Sequence, residues 1–168
     1  DVAWAMQEQC AELLAKAGMV NYEVSAWSQS GKECRHNRNY WEYGDFLGIG
    51  AGAHGKITLP AEGAIRRRIR RRHPEAWMAA VEEGDGLADV QDIGTSDRVF
   101  EFFLNQLRLR DGVLKSQFPP RTGLAWEQVA ERVEQVVERG LMEDRGERLV
   151  PTESGWRFIN EIQAVFLP

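Results

Sequence analysis

The residues best able to do chemistry lie together between Cys34 and Trp41. They are a thiol, the imidazole of His36, the amides of Asn37 and Asn39, and the rings of Tyr40 and Trp41. Imidazole is a common axial ligand of haem iron, and flat aromatic rings pack on a porphyrin face. The same residues would also suit a well-bonded loop whose rings fill the edge of a sheet. Cys34 and His36 form a Cys-x-His pair, but a structural zinc site needs four ligands and the only other histidines are His54 and His73. Zinc is not expected.

Two further patterns bear on ligands. Gly48-x-Gly50-x-x-Ala53 looks like a dinucleotide fingerprint, yet Lys56, Ile57, Thr58, Leu59 and Pro60 follow where that fingerprint requires a helix. A Gly-rich strand end at the mouth of a parallel sheet, holding His54, is the better reading. The second pattern is a stripe of six arginines between Arg66 and Arg72 in a chain of net charge -5. An acidic body with one basic stripe argues against a general nucleic-acid binder. The stripe would hold propionates or phosphates, meet an acidic partner or an anionic membrane surface, or form a solvated helix face.

These residues need positioning elements. Met6, Cys10, Leu13, Leu14 and Ala17 follow helical spacing up to Gly18, and Val20, Tyr22, Val24 and Ala26 alternate as a strand. The aperiodic stretch 28–45 reads as a long loop, followed by a strand over Asp45–Ile49. A helix broken near Pro74 is expected over residues 60–83. Ser96 and Asp97 are expected to cap a helix running through Val99, Phe103 and Leu107 to Gly112. Then come a helix on Val129, Val133, Val136 and Val137, a hairpin about Arg145-Gly146, and one last helix capped by Thr152. Helices followed by a β-hairpin and a helix suggest a winged-helix-like module. Its would-be recognition helix has Glu127, Glu131, Glu134 and Glu138 against Arg132 and Arg139, so DNA is not an expected partner.

At 168 residues the chain has room for one domain or two small ones, and 43% hydrophobic residues suffice for a core. No run is long and apolar enough for a transmembrane segment, and no signal-peptide pattern opens the chain, so a cytoplasmic protein is expected. Starting at Asp1 already in helical register, it reads as part of a longer protein.

Asn21-Tyr22-Glu23-Val24-Ser25, His36-Asn37-x-x-Tyr40-Trp41 and Gly44-Asp45-Phe46-Leu47-Gly48-Ile49-Gly50-Ala51-Gly52-Ala53-His54-Gly55 resemble the C-terminal half of the HemW family. These are radical S-adenosylmethionine (radical SAM) proteins related to HemN, the oxygen-independent coproporphyrinogen III oxidase of porphyrin biosynthesis. The likeness continues through Asp97-Arg98-Val99-Phe100-Glu101-Phe102-Phe103 and Leu107-Arg108-Leu109-x-x-Gly112-Val113. It is weakest over residues 60–95. The resemblance implies an α/β fold that ends a partial radical SAM βα barrel, followed by a mostly α, winged-helix-like C-terminal domain. In that division residues 1–59 finish the barrel and carry the haem motif, 60–95 form a helical connector with the arginine stripe, and 96–168 form the HemN-type C-terminal domain.

The His-Asn-x-x-Tyr-Trp motif separates the family's haem chaperones from its oxidases. It implies haem contact by His36, Asn37, Tyr40 and Trp41, with His36 the ligand of haem iron. The implied function is haem binding and delivery to an acceptor protein. The alternatives are part of a coproporphyrinogen oxidase-like enzyme, or a protein-interaction module. A barrel strand cut from its neighbours would also leave an open sheet edge for self-association. The family's [4Fe-4S] cluster and S-adenosylmethionine belong to the parent protein, because two cysteines, Cys10 and Cys34, cannot supply the cluster's protein ligands. The chain alone is therefore expected to be inactive as an enzyme. Reconstitution with iron and sulfide should give neither stable [4Fe-4S] absorbance nor reductive cleavage of S-adenosylmethionine. A stoichiometric cluster visible by electron paramagnetic resonance would overturn that reading.

Overall fold

A computed structural model describes residues 2–168. The expected first helix is α1, Val2–Lys16, and it stops at Gly18, whose φ of +75° suits glycine alone. No residue of α1 is buried. The strand expected over Val20–Ala26 is instead a hairpin: β1 (Val20–Glu23) pairs antiparallel with β2 (Ala26–Ser28). The Glu23 carboxylate makes the turn by accepting from the Ser25 backbone N–H at 3.2 Å and from its hydroxyl at 3.1 Å.

The stretch expected to be a long loop contains a helix, α2, Arg35–Trp41. Its sequence has no apolar period, so hydrophobic spacing could not reveal it. Arg38 holds it instead, pairing with Glu42 one turn on at 2.9 Å and with Asp111 at 3.1 Å. The strand expected over Asp45–Ile49 shrinks to a single bridge between Phe46 and Lys56.

The arginine stripe lies mostly on a strand, not a helix, with Arg71 and Arg72 just beyond its end. β3 (His54–Leu59), β4 (Ala64–Arg70) and, after α3 (Pro74–Glu82), β5 (Leu87–Asp92) form an antiparallel sheet in that order. Pro74 opens α3 rather than breaking a longer helix, because the first helical turn needs no proline N–H. Strand alternation sends Arg67 and Arg66 to opposite faces. Arg66 binds Asp92 at 2.7 Å and Glu62 at 2.9 Å. Because every sheet among the described residues is antiparallel, the parallel-sheet mouth expected at the Gly-rich turn is replaced by a loop pressed against β3.

The remaining chain builds most of the core. α4 (Thr95–Gln106) starts after Gly94 without the side-chain cap expected from Ser96 or Asp97. It is followed by β6 (Val113–Leu114), α5 (Phe118–Thr122), α6 (Ala130–Glu138), β7 (Met142–Asp144) and β8 (Arg148–Pro151). The last three strands form a sheet in the order β6-β8-β7, with the hairpin turning at Arg145-Gly146 as expected. Thr152 caps α7 (Glu153–Arg157) by accepting from the Gly155 N–H at 2.9 Å. The single last helix expected from the apolar stripe is broken at Phe158, and α8 (Ile159–Val165) follows. Phe102, Phe103, Phe118, Leu149, Ile162 and Phe166 are fully buried. The Phe103 and Phe166 rings lie face to face, 3.6 Å apart.

Phe103→Ala should cost about 3–5 kcal/mol, the range for emptying a buried aromatic site. Thr152→Ala should cost about 1 kcal/mol, the worth of one helix cap. Urea unfolding followed by circular dichroism checks both, and equal losses would contradict the packing described.

Candidate functional site

The first turn of α2 begins after Cys34, which is extended and makes no side-chain cap. One face carries His36 and Tyr40, a turn apart with rings 5.9 Å from each other. Tyr40 stacks on Phe46 at 4.4 Å. Phe46 is held there by reciprocal 2.9 Å backbone hydrogen bonds with Lys56 of β3. The other two motif residues are engaged with the scaffold. Asn37 donates from Nδ2 to the Tyr22 hydroxyl at 3.3 Å, anchoring α2 to β1. Trp41 has the Arg108 guanidinium over its ring at 4.2 Å, and its indole N–H is buried without a hydrogen-bond partner. The motif thus leaves His36 exposed and Tyr40 half-buried against Phe46, while Asn37 and Trp41 fix the helix.

Beyond Phe46 lies a cavity of about 280 Å³ lined by Tyr40, Phe46, His54, Lys56, Arg67 and Glu101, among others. Tyr43, Lys56, Arg67 and Glu101 of this lining belong to a polar network. Asp45 accepts from the Thr58 N–H at 2.9 Å, the Thr58 hydroxyl at 2.8 Å and the Lys56 ammonium at 3.3 Å. Lys56 Nζ also donates to the Tyr43 carbonyl at 3.0 Å and lies 3.9 Å from the centre of the Tyr43 ring. The Tyr43 hydroxyl donates to Glu101 at 3.1 Å, and Arg67 reaches the same carboxylate at 2.6 Å.

Burial sets the direction of several ionisations here. Burial pushes the Tyr43 phenol well up, and the neighbouring Glu101 carboxylate adds to the effect. It pushes Lys56 down, outweighing the attraction of Asp45. For Asp45 burial acts upward, but the hydrogen bonds from Thr58 and the charge of Lys56 outweigh it and hold the carboxyl below its ordinary value.

Chemically, the outward set is of a kind that suits a porphyrin face, with unbonded imidazoles and an aromatic wall, while Lys56 and Arg67 are already paired with Asp45 and Glu101. The cysteines do not fit an iron–sulfur cluster. Cys10 sits on α1 and Cys34 before α2, both exposed, and no three His, Cys, Asp or Glu side chains converge among the described residues. Sequence reasoning missed Tyr43, Lys56 and Glu101, and had Arg67 only as one of the arginine stripe. The alternation of His54, Lys56 and Thr58 was the available signal, and reading the arginine stripe as helix removed the sheet that gives it meaning.

Residues 95–158 match the family model described as the HemN C-terminal domain. Over 167 residues the chain is 37% identical to a Haemophilus influenzae protein named heme chaperone HemW, covering 99% of this chain and 42% of that one. Over nearly its whole length the chain is similar to proteins of that name. The Escherichia coli protein of that name is 36% identical over 167 residues, again across 99% of this chain and 43% of its own length. The chain therefore spans about two fifths of the curated relatives it matches. Its fold is also similar to the Escherichia coli coproporphyrinogen III oxidase HemN, described as a radical SAM enzyme. That comparison has a TM-score of 0.66 and 16% identity over 96% of this chain and 39% of that one. The mixed α/β architecture is shared with HemN, and no described helix is long and apolar enough to cross a membrane.

The Asp45 network gives a pH-dependent prediction. A carboxyl held below its ordinary value of 3.8 contributes its stability in full above that value and loses it as pH falls through the lower folded value. Asp45→Asn should be less stable than the unaltered chain at neutral pH, and the gap should close in strong acid. Thermal unfolding across that pH range checks this, and a gap that stays constant would remove Asp45 from its place in the network.

Proposed function

We propose that this chain is the haem-binding C-terminal part of a HemW-like protein that delivers haem to an acceptor protein. The observation that carries the reading is whole-chain similarity to proteins named heme chaperones, in a chain that keeps the His36-Asn37-x-x-Tyr40-Trp41 motif on one helix with His36 exposed. In this reading His36 would supply an imidazole to the haem iron and Tyr40 would offer a ring beside the porphyrin. Asn37 and Trp41 act mainly by holding α2 against β1 and Arg108. Because His36 is exposed, haem held there would stay open to transfer, as a delivery protein requires.

The finer architecture follows the same reading. Residues 1–59 end a radical SAM barrel, 60–95 connect, and 96–168 form a winged-helix-like domain, supported by the run α4, β6, α5, α6, β7, β8 and the β6-β8-β7 order. The cluster and S-adenosylmethionine would be held by the rest of the parent protein, in the cytoplasm, with self-association through the barrel edge a further expectation. The oxidase and interaction-module readings gain no support from the names of the closely similar proteins.

Added haem should give a shifted Soret band, and His36→Ala should weaken or alter it far more than His73→Ala, which lies outside the motif. Trp41→Ala should weaken binding through loss of the Arg108-covered ring that steadies α2. Absorbance titration checks all three. A Soret band unshifted by the unaltered chain would end the haem reading.

A further inference from the structure

We propose that Glu23 is a positioning residue for haem: acting through Arg108, it holds Trp41 and with it the helix that carries His36. The role rests on the haem-binding reading above and adds a residue outside the α2 motif. The Glu23 side chain is only 2% exposed, and in the hairpin turn it serves Ser25 alone. That turn does not need a charge, since a neutral side chain can bond the backbone two residues on. Arg108 does, because its Nη2 stands 3.7 Å from Glu23 Oε2. Burial of the carboxylate leaves this attraction poorly screened.

The Arg108 guanidinium is the link. It lies over the Trp41 ring, 4.2 Å from its centre, and its Nε is buried without a hydrogen-bond partner. Among the described residues Glu23 is its one ion-pair partner. The main chain of Arg108 is pinned to β1 already. The Val24 N–H donates to the Arg108 carbonyl at 2.9 Å, the Arg110 N–H donates to the Tyr22 carbonyl at 3.0 Å, and Glu23 bridges Leu109 between them. Only the side chain remains to be aimed, and the carboxylate aims it. The neighbouring residue has a parallel task, because the Tyr22 hydroxyl accepts from Asn37. Two consecutive residues of β1 thus reach the two inward residues of the motif. α2 depends on both: seven residues are too few for a stable isolated helix, and no side chain caps its start. Freeing Trp41 would loosen the turn that sets Tyr40 beside His36.

The test is Glu23→Gln in the full chain, which keeps the side chain's length and an oxygen for the Ser25 N–H but takes the charge from Arg108. Absorbance titration should show haem bound about 10-fold more weakly, the low end for groups that orient a ligand from outside the coordination shell. Without haem, hydrogen exchange read by mass spectrometry should quicken over residues 35–43 and stay unchanged over α4 and α6. Arg108→Ala should do the same. The double variant should be no worse than Arg108→Ala alone, because the two residues act in series. Losses that add would overturn the inference and leave the haem reading standing, as would unchanged exchange over 35–43 or unchanged haem affinity in Glu23→Gln. If the unaltered chain binds no haem, the haem reading itself falls and takes this role with it.

Discussion

Asp45 is the junction on which the N-terminal half depends. Its carboxylate takes hydrogen bonds from both ends of Thr58 and a charge from Lys56, and Lys56 in turn grips the Tyr43 carbonyl. Tyr43 is the only described non-glycine residue with positive φ, at 55°, and it is almost fully buried. A left-handed tyrosine is strained by itself and persists because its surroundings over-determine it. Here they are the ammonium over its ring and the Glu101 carboxylate at its hydroxyl. Through Glu101 and Arg67 the network reaches α4 and β4, so α2, the central sheet and the C-terminal core share one polar hub.

That hub explains the form of the candidate site. The loop from Tyr43 to Gly48 leaves α2, crosses β3 at Phe46 and brings the Tyr40–Phe46 stack beside the strand. Breaking the salt bridge would leave a buried ammonium without its partner charge, a costlier state than never having had the pair. The aromatic wall therefore relies on charges that do not themselves face a ligand.

Much of the C-terminal part was legible because its apolar residues recur at helical spacing and its turns carry glycine, as at Gly140 and Gly146. The elements around the site were less so. α2 has seven residues, polar on most sides, and its stability comes from Arg38 pairing with Glu42 and with the distant Asp111. No local pattern encodes the second of these. In β4, arginine occupies both faces, one paired with Glu101 inside and one with Asp92 outside, so the period-two signal that identifies a strand is erased. Likewise the apolar stripe from Trp156 to Phe166 is real, but tertiary packing bends the backbone at Phe158. The motif residues could be singled out; that Asn37 and Trp41 are anchored inward while His54 joins Tyr40 at a cavity required the tertiary fold.

The stacked pair Phe103–Phe166 joins the helix that opens the C-terminal half to the residue just after α8. On a growing chain, α4 must emerge with Phe102 and Phe103 facing water, and Phe103 waits through the whole of α5, α6 and the hairpin before the ring of Phe166 is made. During that interval the greasy face of α4 is a target for chaperones and for neighbouring nascent chains. Biosynthesis of this segment is therefore most vulnerable to aggregation late, after nearly all of its secondary structure has been translated.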